Sequence, residues 1–108
     1  MRTMTPVMSC YLAEWYRPHL TQQVVDGFFA ALDAAVRTAS GPDRSLRLLV
    51  TLAVPTDEVL YGVFTADHAD DVLQVCQQAG VPVERLSTDV GARIDREAQN
   101  GPPEPTRK

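Results

Sequence analysis

Residues 45–65 read SLRLLVTLAVPTDEVLYGVFT and predict two β-strands joined by a short turn. Large apolar side chains recur at every second position of the first half, namely Leu46, Leu48, Val50, Leu52 and Val54. A period of two places such residues on one face of a strand, and we expect that face to meet the core. Pro55, Thr56 and Asp57 supply turn chemistry. Both faces of the second strand are apolar, so the sheet needs a cover on each side, and in a short chain the second cover is often another copy.

The composition predicts one small cytoplasmic domain. The chain has 108 residues and a net charge of -4. Its basic residues are scattered and form no patch, which argues against binding to nucleic acid. No apolar run approaches the roughly 18 residues that would span a bilayer, and no signal peptide is evident. Cys10 and Cys76 are far apart, which fits a reducing compartment better than a disulfide scaffold.

Two amphipathic helices are predicted on either side of the hairpin. Thr21 is placed to cap the first helix, whose apolar stripe comprises Val25, Phe28, Phe29, Leu32 and Val36. Asp67 is placed to cap the second, whose stripe comprises Ala69, Val72, Leu73, Cys76 and Ala79. We expect a first strand at residues 7–16 and an edge strand of poor alternation between residues 83 and 94.

The resulting order is β-α-β-β-α-β, which predicts a ferredoxin-like α+β fold. Its four-stranded antiparallel sheet would carry both helices on one face, because the crossovers are right-handed. The other face would be open, and face-to-face closure with a twin would give a dimeric α+β barrel. We expect residues 1–7 to be a flexible lead-in, residues 8–94 to be the single domain, and residues 95–108 to be a disordered tail.

Two short motifs resemble a known family. The first is Tyr11-Leu12-Ala13-Glu14, followed by Pro18 and by Thr21 at the start of a helix; the second is Ala79-Gly80-Val81-Pro82-Val83-Glu84-Arg85-Leu86. Over residues 8–94 the chain resembles the small bacterial ferredoxin-like proteins of unknown function that include a nickel-responsive, nickel-binding member. The resemblance implies a homodimer that binds nickel or another divalent transition metal, or a small ligand, at or near the dimer-facing side of the sheet.

The chain departs from this family at several polar positions. Trp15 stands where the family often has Arg, and Thr65 stands where an acidic residue is common. Val75 and Cys76 lie where a His is common. Among the polar positions of the family, Glu14 is the one that this chain matches cleanly.

Glu14 is the leading candidate for a functional residue. A carboxylate within an apolar strand is costly unless it is paired or hydrated. It would act as a metal ligand, or as an acid/base group if the protein is an enzyme; alternatively it pairs with Arg47 or Arg85 on a neighbouring strand. His19, in the loop after the first strand, is a second candidate metal ligand, or simply an exposed residue.

Aromatic residues are the candidate lining of a ligand cleft. Tyr11, Trp15 and Tyr61 would line such a cleft or form the core of the dimer. His68 and Asp71 share a helix face and would hold a surface metal weakly, although helix capping explains the carboxylates without one. Cys76 and Cys10 are expected to be small core residues.

Three functions of different classes follow, of which the third is an interaction module whose open sheet face binds another protein. The leading hypothesis is a non-enzymatic homodimer that binds a transition metal or a small ligand. The alternative is a cofactor-independent enzyme of the dimeric α+β barrel type, a monooxygenase or isomerase acting on a small apolar substrate.

Overall fold

The chain folds in the predicted β-α-β-β-α-β order, and the ferredoxin-like fold is confirmed. A computed structural model describes residues 7–41 and 45–93. The elements are β1 (Val7–Tyr16), α1 (Gln22–Ala39), β2 (Arg47–Val54), a 3-10 turn (Pro55–Asp57), β3 (Val59–Thr65), α2 (Ala69–Gln78) and β4 (Arg85–Arg93). The strands form one antiparallel sheet in the order β2-β3-β1-β4. Val7 already belongs to β1, whereas the rest of the predicted lead-in and the predicted tail lie outside the described residues.

The hydrophobic core lies between one face of the sheet and the two helices. The sheet contributes Trp15, Leu60 and Phe64, all without solvent exposure, and α1 contributes Leu32 and Val36. The remaining α1 stripe packs against this core, as the helical spacing predicts. No helix in the described part of the chain is long and apolar enough to cross a bilayer.

Trp15 is the central side chain of this core. Its ring packs edge-to-face against Phe28, with the ring centroids 5.0 Å apart. Its indole N–H donates a hydrogen bond to the carbonyl oxygen of Val81 at 2.8 Å, so the one polar atom of the buried ring is satisfied. Gly62 makes room for it, because a Cβ there would lie 3.3 Å from the Trp15 ring and 3.2 Å from that of Phe64.

The helix starts follow the predicted chemistry only in part. Thr21 caps α1, and its side chain accepts a hydrogen bond from the backbone N–H of Val24. The prediction of Asp67 as the cap of α2 is wrong. The cap is His68, and the Asp67 carboxylate instead accepts a hydrogen bond from the Ser45 hydroxyl at 2.7 Å.

The buried stripe of α2 also differs by one position from the prediction. Val72, Val75 and Cys76 are buried, whereas Leu73 is 41% exposed. These three residues are spaced i, i+3 and i+4, so they share one face of the helix, and this face packs toward the sheet.

A bulge in β2 overturns the prediction that its five alternating apolar residues share the core face. Leu48 pairs with Phe64, but the next pair joins Val50 to Val63, so two residues of β2 advance against one of β3. Leu46 and Leu48 therefore face the helices, while Val50, Leu52 and Val54, which follow the bulge, lie on the opposite face. Val50 is consequently 47% exposed and Leu52 is 52% exposed.

β4 is an edge strand, as its poor alternation predicts. Its pairing with β1 shifts between the pairs Cys10–Val90 and Leu12–Ser87. Asp89 lies in this shift with a φ of 57°, in the left-handed region that Asp tolerates better than most residues. The irregular register explains why residues 83–94 do not alternate cleanly.

Candidate functional site

The side of the sheet opposite the helices is an open face. It is made of directly opposed side chains from the four strands: Arg47, Val50, Leu52 and Val54 of β2, Val59, Tyr61, Val63 and Thr65 of β3, Leu12, Glu14 and Tyr16 of β1, and Arg85 and Ser87 of β4. Near its middle, Glu14 lies opposite Tyr61 on one side and opposite Arg85 on the other. The open face is thus mostly apolar, with one carboxylate on a central strand.

Glu14, Tyr16 and Arg85 form a small polar cluster, which we call the Glu14 cluster. The Tyr16 hydroxyl donates a hydrogen bond to Glu14 Oε1 at 2.8 Å. The Arg85 Nε lies 4.0 Å from Glu14 Oε2, so one of the two predicted ion-pair partners is near the carboxylate. The other, Arg47, lies on the same face but opposite Thr65, four residues along β3 from the Tyr61 that lies opposite Glu14.

The ion pair does little to stabilise Glu14. The Glu14 side chain is only 12% exposed, but that of Arg85 is 66% exposed and its nearest nitrogen is at the distance limit for an ion pair. Exposed pairs of this kind contribute about 0–1 kcal/mol, because water screens them. The carboxylate is therefore mostly removed from solvent without a closely bound cation.

The hydrogen bond to Glu14 raises the pKa of Tyr16 above its ordinary value. Loss of the phenolic proton would break this bond, and the new charge would also lie beside the charge of Glu14. Tyr16 therefore stays a hydrogen-bond donor at neutral pH.

The end of β1 is tied down beside this cluster. The Arg17 guanidinium forms an ion pair with Glu84, and the backbone N–H of Glu84 donates to the Glu14 carbonyl oxygen at 3.1 Å. These contacts join β1 to the residues before β4. They fix the strand that carries Glu14.

The three aromatic residues predicted to line a cleft do not lie together. Trp15 is fully buried on the helical side, and Tyr11 packs against the same core. Tyr61 lies opposite Glu14 on the open face. The prediction that they line one cleft is wrong because Trp15 and Glu14 are adjacent in β1, and adjacent residues of a strand point to opposite faces. Of the three, only Tyr61 can contact a ligand near Glu14.

The described residues do not provide a donor set for nickel. Within residues 7–41 and 45–93, no group of three or more His, Cys, Asp or Glu side chains could hold a metal ion. His19 is exposed in its loop and has a φ of 57°. Near Glu14 the other polar groups are a phenol and a cationic guanidinium, and neither favours a bound transition metal.

Both thiols are in environments that keep them protonated. Burial raises the pKa of Cys76 to about 12 and also raises that of Cys10. A thiol with a raised pKa is a poor nucleophile and a poor metal ligand at neutral pH. Cys76 belongs to the core, as predicted, whereas Cys10 is buried outside that core cluster.

Two concave grooves lie away from the Glu14 cluster. One, with a volume of about 420 Å³, runs between α1 and β2 and is lined by Asp26, Phe29, Ala30, Asp33, Leu48, Leu49, Val50 and Thr51. The other lies between α1 and α2 among small side chains. Glu14 lines neither of these two grooves.

Sequence reasoning singles out Glu14 but misses Tyr16. The signal was present, because Tyr16 is two residues from Glu14 and therefore shares its strand face. The alternating pattern predicts Leu52 on the core face. This prediction is wrong because nothing in the residue pattern marks the bulge.

The described residues form a ferredoxin-like α+β domain with the Glu14 carboxylate on the side of the sheet opposite the helices. No protein-family model and no curated protein matches the sequence. The crystal structure of SCO4226 from Streptomyces coelicolor A3(2) is similar, with a TM-score of 0.59 and 18% sequence identity. The match covers 73% of this chain and 93% of that one. At this identity the similarity shows the fold alone.

Proposed function

We propose that the protein binds a small, mostly apolar organic molecule on the open face, with Glu14 accepting a hydrogen bond from it. The observation that carries the proposal is a carboxylate whose side chain is 12% exposed within an apolar sheet face, and whose ion-pair partner, Arg85, is 4.0 Å away and itself 66% exposed. Burying such a group lowers the free energy of unfolding, and a protein that does not use the group gains nothing in return.

Glu14 retains the capacity to accept a further hydrogen bond. An ionised carboxylate offers about four acceptor positions. Tyr16 occupies one of them on Oε1, and the guanidinium near Oε2 stays 4.0 Å away. A ligand hydroxyl or amine can therefore donate to Oε2, and such charge-assisted bonds contribute about 1.5–3 kcal/mol.

The surroundings of Glu14 favour an apolar ligand body. Leu12, Val63 and Tyr61 surround the carboxylate on the two central strands. Burial of about 100 Å² of apolar ligand surface against such side chains would contribute about 2.5 kcal/mol. The proposal therefore specifies an apolar body with one hydrogen-bond donor.

Nickel is implied by the family resemblance, but the donor groups near Glu14 do not suit it, so we propose the small-ligand form of the function. The enzymatic alternative would use the same carboxylate as an acid/base group. Binding of a small apolar molecule is the step that the two hypotheses share.

The test compares 2-naphthol with 2-methoxynaphthalene, which has the same apolar body but no donor. We expect 2-naphthol to bind the wild-type protein about tenfold more tightly, because a charge-assisted hydrogen bond adds at least about 1.4 kcal/mol. Isothermal titration calorimetry measures both affinities. Glu14→Gln should remove most of this preference, because a neutral amide is a weaker acceptor.

Asp26→Asn is the matched control, since it neutralises a carboxylate that lines the α1–β2 groove instead. It should leave the preference for 2-naphthol intact. Equal affinities for the two compounds in the wild type would contradict the proposal. So would a preference that survives Glu14→Gln and disappears in Asp26→Asn.

A further inference from the structure

We infer that the α1–β2 groove binds an extended basic peptide, which adds as a further strand to the outer edge of β2. The groove is separate from the Glu14 cluster, so this function is additional to the proposed one. Three features carry the inference: the unpaired outer edge of β2, the two walls of the groove, and the carboxylates that α1 places along it.

The outer edge of β2 is a regular edge that no strand covers. β2 is the first strand in the order β2-β3-β1-β4, and in the described part of the chain only β3 pairs with it. In an antiparallel pair, every second residue of an edge strand directs its backbone N–H and C=O groups away from the partner strand. From Val50 to Val54 the pairing with β3 has no further shift. This part of the edge can therefore accept the backbone of another strand.

The sequence of β2 provides little protection for this edge. Exposed edges are commonly blocked by charged residues, by proline or by a bulge. β4, the other edge strand, carries Arg85, Asp89 and Arg93 along its length, whereas β2 carries one charge, Arg47, at its first residue. The bulge after Leu48 lies near the start of β2. The remaining length of the edge is open to a further strand.

The groove lies where an added strand would lie. Its β2 wall comprises the four consecutive residues from Leu48 to Thr51. Leu48 faces the helices and Val50 lies on the opposite face, so a groove that both residues line reaches the edge of the strand itself. The other wall is one face of α1 with the spacing i, i+3, i+4 and i+7, namely Asp26, Phe29, Ala30 and Asp33. An extended chain in the groove would pair with β2 on one side and pack against α1 on the other.

The α1 wall favours a peptide with two basic residues around one apolar residue. Asp26 and Asp33 are about 10 Å apart along the helix axis, and Phe29 and Ala30 lie between them. Alternate residues of a strand lie on one face about 6.6 Å apart, so the outer two of three such residues are about 13 Å apart. Long basic side chains span the difference. The three positions therefore match a basic, an apolar and a basic residue.

The present partners of these carboxylates compete only weakly with a peptide. Asp33 pairs with Arg37 at 3.1 Å, and both side chains are more than half exposed. Asp26 accepts a hydrogen bond from the Gln22 side chain at 3.0 Å in an exposed position. Water screens such pairs, so they contribute little. Among the described residues no basic side chain lines the groove, and Arg47 lies on the open face.

The peptide TKTLTKT, acetylated and amidated at its ends, tests the charge and shape of the groove. It reads the same in both directions, so it presents lysine, leucine and lysine on one face whichever way it lies along β2. We expect it to bind the full chain at least about tenfold more tightly than TETLTET, as measured by isothermal titration calorimetry. The double variant Asp26→Asn, Asp33→Asn should bind TKTLTKT about tenfold more weakly than the wild type. The matched control, Asp70→Asn with Asp71→Asn, removes the same charge from α2 and should leave the affinity unchanged.

Hydrogen exchange of the β2 amides, followed by nuclear magnetic resonance, tests the strand pairing itself. In the free protein, alternate amides between Val50 and Val54 should exchange rapidly, because they point to solvent. Saturation with TKTLTKT should slow their exchange at least about tenfold. The same peptide N-methylated at every residue keeps the side chains but has no backbone donor, and it should bind at least about tenfold more weakly.

Four results would overturn the inference. They are the absence of binding of TKTLTKT at about 1 mM, equal affinities for TKTLTKT and TETLTET, equal effects of the groove and α2 variants, and undiminished binding of the N-methylated peptide. The last would show that the groove holds lysine side chains without strand pairing. Slow exchange of the β2 amides without peptide, increasing with protein concentration, would show that a second copy occupies the edge, and would also overturn it.

Discussion

Replacing Trp15 with alanine is expected to lower the free energy of unfolding by about 3–5 kcal/mol, the usual cost of removing a large buried aromatic side chain. Trp15 has no solvent exposure, packs against Phe28 and donates a hydrogen bond to the Val81 carbonyl. The variant would lose these contacts and leave a part-buried acceptor without its donor. Domains of this size are stable by about 5–15 kcal/mol, so the loss is a large part of the total. Urea denaturation followed by circular dichroism measures it.

Tyr61→Ala is the control for Trp15→Ala. Tyr61 is also an aromatic residue of a central strand, but it lies on the open face and is only half-buried. We expect a loss of about 1 kcal/mol, because the side chain of Tyr61 is already partly in solvent in the folded protein. Equal losses for the two variants would contradict the assignment of these aromatic residues to opposite faces of the sheet.

Replacing Glu14 with leucine is expected to abolish the preference for 2-naphthol without lowering stability. The exposed Arg85 would remain solvated, and the carboxylate would be replaced by an apolar side chain that suits the face. Because the charge of Arg85 stays in solvent and a poorly solvated carboxylate is removed, we expect a gain of up to about 1 kcal/mol. Affinity for 2-naphthol should fall about tenfold, whereas affinity for 2-methoxynaphthalene should be kept. Calorimetry and urea denaturation of the same sample measure the two effects.

Glu84→Leu is the matched control for Glu14→Leu, because Glu84 has a structural role at the same edge of the sheet. It forms the ion pair with Arg17 and accepts a hydrogen bond from the backbone of Tyr16. Its loss should cost about 0.5–1 kcal/mol after allowance for solvent screening, and should leave the preference for 2-naphthol intact. If Glu14→Leu instead destabilised the fold and left the preference unchanged, Glu14 would be a structural residue.

The order of elements could be predicted because local chemistry and tertiary structure agree along most of the chain. The α1 stripe from Val25 to Val36 has helical spacing and does face the core, and Thr21 does cap that helix. Glu14 stood out because a carboxylate is unusual in an apolar strand. The prediction of Asp67 as a helix cap is wrong because its hydrogen-bond partner, Ser45, is 22 residues away along the chain, and no local pattern indicates that contact.

The bulge in β2 could not be predicted for a physical reason. A period of two assigns faces only while each residue of a strand advances against one residue of its partner. After Leu48 the register shifts, and the residues that follow on the open face are as apolar as those before it on the core face. The period of two therefore continues unbroken in the sequence although the apolar residues change face at the bulge. The same shift exposes Val50 and Leu52, and thus determines the surface on which the proposed site depends.

The most direct measurement for the central claim is a set of intermolecular nuclear Overhauser effects between 2-naphthol and the methyl groups of the labelled protein. Bound 2-naphthol should give effects to the Leu12 and Val63 methyl groups, which flank Glu14 on the open face, and none to Leu32 in the core. Effects to Ala30, which lines the α1–β2 groove, in place of Leu12 and Val63, would contradict the claim that the ligand binds on the open face.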